Sequence, residues 1–174
     1  MNKPNKHIHY FFDMDGVIAR WADASIEETH QEGFFLRRDP EMMAVMAMKR
    51  MIELGYHVSI LSAAYTDDHS ERDKINWLYK VGLGHVDRIF VPYGKDKHDY
   101  LTEKGILNVL IDDFSKNLFA WEGAGKEYLG IKFMNGINGT KKTWCGYTVS
   151  NRMSTEKMVI AITSIAEAEA EKEA

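Results

Sequence analysis

Five short apolar runs, at residues 7–12, 57–61, 88–91, 107–111 and 128–133, alternate along the chain with segments of helical pattern. A strand that is apolar at nearly every position has to be covered on both faces. A helix after each strand supplies that cover and returns the chain for a parallel neighbour. The expected fold is therefore α/β, a Rossmann-like, doubly wound and mainly parallel sheet. The helices carry signals of their own. Asp39 as cap, Pro40 in the first turn and Gly55 as stop enclose a helix over residues 42–54. Its methionines, Met42, Met43, Met46, Met48 and Met51, are expected as core filler. A second helix is expected after Asp68, turning Ile75, Leu78 and Tyr79 inward before Gly82. A third opens near Ser115 and presents Leu118, Phe119 and Trp121, and a last one from about Ser154 repeats Met158, Ile162 and Ile165 at helical spacing. Residues 167–174 read as a charged, fraying tail.

At 174 residues the chain is long enough for one packed domain and short for two. No repeat or linker divides it, so residues 1–174 are expected to form a single domain. Residues 17–38 stand apart as a long connection after the first strand, carrying Trp21, Phe34, Phe35, Arg37 and Arg38. They read either as a small cap or lid over a site or as an ordinary surface helix and turn. The formal net charge of −4 gives no general attraction to phosphate backbones or anionic membranes. The expected partner is a small molecule, with no polynucleotide and no membrane. Cys145 is the only cysteine, so no internal disulfide forms, and no apolar run nears the roughly 20 residues that cross a bilayer. The opening residues lack the apolar segment and cleavage site of a secretion signal. A cytoplasmic setting is expected, and composition leaves the oligomeric state open.

In a parallel sheet the crevice outside the carboxyl ends of the strands is where ligands bind. The first run there ends in Asp13 and Asp15, with Gly16 after them; the second leads to Ser62, the third to a loop with Lys95 and Lys97, and the fourth to Asp112 and Asp113. One Asp at a strand end is usually a cap or turn, but this set converges. Two like charges about 4 Å apart repel by roughly 4 kcal/mol at an effective dielectric near 20, so acids from two strands call for a cation or a proton between them. Oxygen ligands without His or Cys favour Mg²⁺, which pairs one or two carboxylates with substrate phosphate. Ser62 adds a hydroxyl donor, and Lys95 or Lys97 a fixed positive charge. No Walker loop, no GxGxxG after a strand and no cysteine in a phosphate-binding loop is present, so the nucleophile is sought among the acids. Trp21, Phe34 and Phe35 suit either base stacking or packing, and Gly136, Gly139, Lys141 and Lys142 suit either a phosphate loop or an Asn-Gly turn.

The run FFDMDG, Ser62 in SILSA, Lys97 in YGKDKHDYL and the pair in VLIDDF resemble the four ordered motifs of the haloacid dehalogenase superfamily. The stretch LIDDFSKNLFAWEGAGKEYLGIKFMNGINGT is similar, within it, to bacterial and phage proteins related to 5'(3')-deoxyribonucleotidases. The resemblance implies a Mg²⁺-dependent phosphomonoester hydrolase acting through an aspartyl-phosphate. It makes Asp13 the nucleophile and a metal ligand, and Asp15 the general acid and base that also offers its carbonyl to the metal. Ser62, with Ala63 beside it, and Lys97 would hold the phosphoryl group, Gly16 would allow a tight turn by the substrate, and Asp112 and Asp113 would complete the metal site. It also implies that strands one and four are neighbours. This chain departs from those nucleotidases in its short insertion and in Phe114, where a basic residue often follows the acid pair. A polynucleotide-end phosphatase of the same fold, and a phosphorylation-controlled receiver or binding module, are the alternatives. The receiver arrangement puts the adjacent acid pair first, whereas here it comes last.

Overall fold

The computed structural model describes residues 4–21, 24–67, 69–102, 105–139 and 143–172. Among these, six strands form one sheet: β1 (Ile8–Phe12), β2 (His57–Ala64), β3 (Arg88–Pro92), β4 (Leu107–Asp112), β5 (Tyr128–Met134) and β6 (Tyr147–Ser150). The order is β3-β2-β1-β4-β5-β6 and every neighbouring pair is parallel. The fold is thus α/β and Rossmann-like, with strand order reversing between β1 and β4, and its first helix, α1, is a single turn (Ile26–Thr29).

β1 is buried at all five positions because both of its faces are covered. Ile8, Tyr10 and Phe12 join one cluster with Met48 and Met51 of α2 (Met42–Glu53), Trp77 and Leu78 of α3 (Ser70–Lys80), and Met158 and Ile162 of α5 (Thr155–Lys172). Phe11 points the other way, onto Leu118 and Trp121 of α4 (Ser115–Gly123). Each such buried side chain stabilises the fold by about 1.5–3 kcal/mol before entropy is counted. A sixth strand lies outside the five expected runs. β6 is a four-residue edge strand whose Val149 is deeply buried while Tyr147 and Thr148 are exposed, so no apolar run marks it.

Several local expectations need correction. α2 begins after Glu41, not at Pro40, because Pro40 bridges to Ala19 and the Glu41 amide donates to the carbonyl of Ile18. Its Met42, Met43 and Met46 are exposed, so only Met48 and Met51 fill core. On α3 the buried stripe is Ser70, Asp73, Lys74, Trp77 and Leu78, whereas Tyr79 is 64% exposed. Polar side chains can occupy that stripe because each finds a partner: Ser70 Oγ accepts from the Tyr65 amide, Asp73 from the Gly33 amide, and Lys74 pairs with Asp15. Phe119 is likewise exposed on α4. α5 continues as helix to Lys172 through the acidic segment. Asp68, Lys141 and Lys142 lie outside the described residues. No described helix is long and apolar enough to cross a membrane.

Candidate active site

Register decides which side chains meet. Phe12 pairs with Ile60 of β2 and with Ile111 of β4, so the residues that follow, Asp13 and Asp112, finish side by side. The Asp13 amide extends the ladder by donating to the Ile111 carbonyl at 2.9 Å. A slip of β1 by one residue against β4 would turn Asp13 to the other face of the sheet, away from Asp112. Carboxylate oxygens of Asp13, Asp112 and Asp113 lie within 4.8 Å of one another.

Lys97, buried at the start of a 3₁₀ turn (Lys97–Tyr100), stands between two of them, with its ammonium 3.1 Å from Asp13 Oδ1 and 2.7 Å from Asp112 Oδ2. Burial alone would lower its pKa, but Asp112 and Asp13 overcome that and push it up to about 12. Lys95 is exposed on the preceding loop. Asp112 is fully committed: its Oδ1 accepts from the Phe114 amide, and its Oδ2 from Asn117 Nδ2 as well as from Lys97. Burial pushes the Asp112 carboxyl upward, against the pull of Lys97. Among the described residues no lysine pairs with Asp113. Burial first, then repulsion from Asp112 and Asp13, push its carboxyl up to about 8.

One ammonium cannot neutralise three carboxylates, so the cluster favours a cation. Its all-oxygen donors are compatible with Mg²⁺. The loop after β5 supports Asp113: Asn135 Nδ2 donates to its Oδ2 at 2.9 Å and to the Gly16 carbonyl at 3.0 Å, while Asn138 Nδ2 donates to the Asp113 carbonyl at 3.0 Å. Gly16 is required for its geometry: its φ is +81°, and a Cβ there would stand 2.3 Å from Asp113 Oδ2. Gly16→Ala is therefore expected to displace Asp113 and to cost about 1–3 kcal/mol, read by urea unfolding. Unchanged stability would show that Asp113 yields freely.

No family model and no curated protein matches this sequence. Among solved structures, the chain is similar to one titled "Structure of Pnkp1/Rnl/Hen1 complex", with a TM-score of 0.57 and 15% sequence identity. The match covers 72% of this chain and 45% of that one, so the chain spans less than half of that neighbour's length. At this identity the likeness shows a shared fold.

Asp15 sits apart from the three clustered acids. Its side chain pairs with Lys74, a residue that the sequence reading passed over, and Lys74 also donates to Ser62 Oγ at 3.1 Å and to the Ala63 carbonyl at 2.7 Å. Burial raises the Asp15 carboxyl while Lys74 acts to lower it, and the net shift is upward. Ser62 lies within β2, not after it, and is fully buried beside this pair.

A cleft of about 400 Å³ opens over Asp13, Asp15, Lys97 and Asp113. Trp21, Phe35, Tyr65, Tyr93 and Phe114 line it, and the exposed Lys95 and Lys116 stand at its rim. Phe34 packs under Arg38 instead, as a buried neighbour of Phe35. A smaller hollow of about 220 Å³ lies by Leu107 and Tyr128, at the amino ends of β4 and β5, where the described residues bring together no comparable set of cation ligands.

The sequence-predicted residues Asp13, Asp15, Ser62, Ala63, Lys97, Asp112, Asp113, Gly16 and Trp21 thus gather at one end of the sheet. Lys74, Asn117, Asn135 and Asn138 were missed. Asn135 and Asn138 each precede a glycine, which reads as turn chemistry and conceals side chains that reach back to Gly16 and Asp113.

Proposed function

We propose that this chain is a Mg²⁺-dependent phosphomonoesterase of the haloacid dehalogenase type, acting on a nucleoside monophosphate or a similar small ester. The observation that carries this reading is the convergence of Asp13, Lys97, Asp112 and Asp113 beside Ser62 and Asp15, beneath an aromatic-lined cleft.

In this mechanism an Asp13 carboxylate oxygen attacks phosphorus as the bond to the leaving oxygen breaks, and Asp15 passes a proton to that oxygen. A carboxyl whose pKa burial raises suits Asp15 to proton donation. Water then attacks the aspartyl-phosphate while Asp15 takes its proton, which frees phosphate and restores Asp13. Ser62, fully buried and not among the cleft's lining residues, holds Lys74 rather than the phosphoryl group, and Lys97 holds Asp13 in place while balancing charge. Mg²⁺ held by Asp13, Asp113 and the Asp15 carbonyl, with Asp112 behind them, would neutralise charge on the phosphoryl oxygens. The two paired oxygens of Asp112 favour Asp113 as the direct ligand. The aromatic walls suit the flat face of a base.

The lysines at the rim, Lys95 and Lys116, favour a second reading in which the ester ends a longer phosphodiester chain. Phosphate release from mononucleotides, sugar phosphates, p-nitrophenyl phosphate and 5'- or 3'-phosphorylated oligonucleotides separates the two readings. Hydrolysis is expected with Mg²⁺ and none with chelator. Oligonucleotides outpacing mononucleotides would move the assignment to polynucleotide ends, and a phosphorylated protein stable for many minutes would move it to a receiver module. Within the same assay, Lys97→Met is expected to lower kcat by about 10²–10⁴-fold, and Lys95→Ala to change KM by no more than a few fold. Equal effects of the two would remove Lys97 from its assigned role.

A further inference from the structure

Lys74 is a fully buried lysine one helix away from the clustered acids. Its ammonium meets three acceptors, the Asp15 carboxylate, Ser62 Oγ and the Ala63 carbonyl, and the Phe35 ring lies over it at 4.6 Å. An ammonium has three N–H donors, so this one is saturated and has none left for a phosphate. A buried ion pair is weak evidence for stability, since an apolar side chain of similar size often serves the fold as well. The geometry points elsewhere.

We infer, resting on the phosphatase reading above, that Lys74 is a positioning residue that fixes Asp15 in the orientation the proton transfers require. By holding Asp15 Oδ2 it leaves Oδ1 as the oxygen that exchanges a proton with the leaving group or water.

Lys74 is itself held from the other side. On the same helix, Asp73 Oδ2 accepts from the Gly33 amide at 2.6 Å, Trp77 Nε1 donates to the Arg38 carbonyl at 2.7 Å, and Arg72 pairs with Glu32. Residues 32–38 are thus fastened to α3 on both sides of Phe35, whose ring covers the ammonium. This part of the insertion is a wall built against α3, and its task is to keep Lys74 dry and aimed.

The test compares wild type with Lys74→Met, in Mg²⁺, on p-nitrophenyl phosphate and on an alkyl phosphate. Aryl leaving groups need little protonation, whereas alkoxides and the second, hydrolytic step depend on Asp15. The variant is expected to release p-nitrophenol in a rapid stoichiometric burst within about threefold of the wild-type rate, then to turn over about 10²-fold more slowly, with KM falling alongside kcat because kcat/KM still reports the little-changed phosphorylation step. On the alkyl ester it should lose a similar factor without a burst. A merely structural lysine would slow burst and turnover alike, or neither, and either result overturns the inference. Should Lys74→Met fail to fold, Lys74→Gln, which keeps two N–H donors without the charge, replaces it. Crystal structures of wild type and variant give a readout independent of turnover. An Asp15 carboxylate that keeps its wild-type position without Lys74 overturns the inference even if the phosphatase reading stands, and a displaced one supports it. A wild type that hydrolyses no ester ends the phosphatase reading itself.

Discussion

Asp13→Asn is expected to lower phosphate release by about 10⁴-fold or more with every ester, because an amide oxygen cannot form the aspartyl-phosphate. The fold should survive. Asn occupies nearly the same volume, and its side-chain oxygen can still accept from the Met14 amide as Asp13 Oδ1 does at 2.8 Å. Lys97 keeps its bond to Asp112, and one of three mutually repelling carboxylates is removed. The melting temperature in chelator should therefore equal or exceed that of wild type. Phosphate release and intact mass after substrate addition check the result: wild type should show a covalent phosphate adduct and the variant none. Hydrolysis by Asp13→Asn within tenfold of wild type would remove Asp13 as the nucleophile.

Asp113→Asn carries the second large effect, and its sign depends on the metal. The Asp113 carboxyl is pushed up to about 8 by burial and by Asp112 and Asp13, whereas in the unfolded chain it titrates near 4. Below about pH 4 it is protonated in both states and costs nothing. As pH rises through that range the unfolded chain releases the proton while the folded one keeps it, so stability falls until the pH passes about 8 and then levels off. The cost at pH 8 is on the order of a few kcal/mol. In chelator at pH 8, Asp113→Asn should melt several degrees above wild type, since a kcal/mol moves a chain of this size by about 2–4 °C. Asn135 can still donate to the amide oxygen that replaces Asp113 Oδ2. Millimolar Mg²⁺ should raise wild type and leave the variant nearly unmoved, narrowing or reversing the order. Differential scanning fluorimetry from pH 5 to 9 reads both effects. Equal Mg²⁺ shifts in the two proteins would place the cation away from Asp113. On the proposed reading, stability is surrendered at this site because the packed carboxylates would serve a ligand rather than the fold.

The two lysines of the 95–97 loop show where sequence reading stops. Spacing placed both beside the acids, and only packing distinguishes them: Lys97 is drawn into the core between Asp13 and Asp112 while Lys95 stays at the rim. Lys74 was harder to find. It lies on the same helical stripe as Trp77 and Leu78, a signal available in the sequence, but a lysine on an apolar stripe has no meaning until its acceptors are known. Those acceptors, Asp15, Ser62 and Ala63, come from the ends of two other strands. Asn135 acts across 119 residues on the Gly16 carbonyl, which no local pattern can express.

By itself the sequence determined the parallel α/β architecture and the rim of acids, because continuous apolar runs demand cover on both faces and a parallel sheet sends every strand end to one side. Tertiary structure alone decided which charges meet. The register of β1 on β4 sets Asp13 beside Asp112, the fastening of α3 to residues 32–38 aims Lys74 at Asp15, and the loop after β5 steadies Asp113. The physical reason is range: hydrophobic periodicity is written in neighbouring residues, whereas an ion pair depends on ångström distances between segments far apart in the chain.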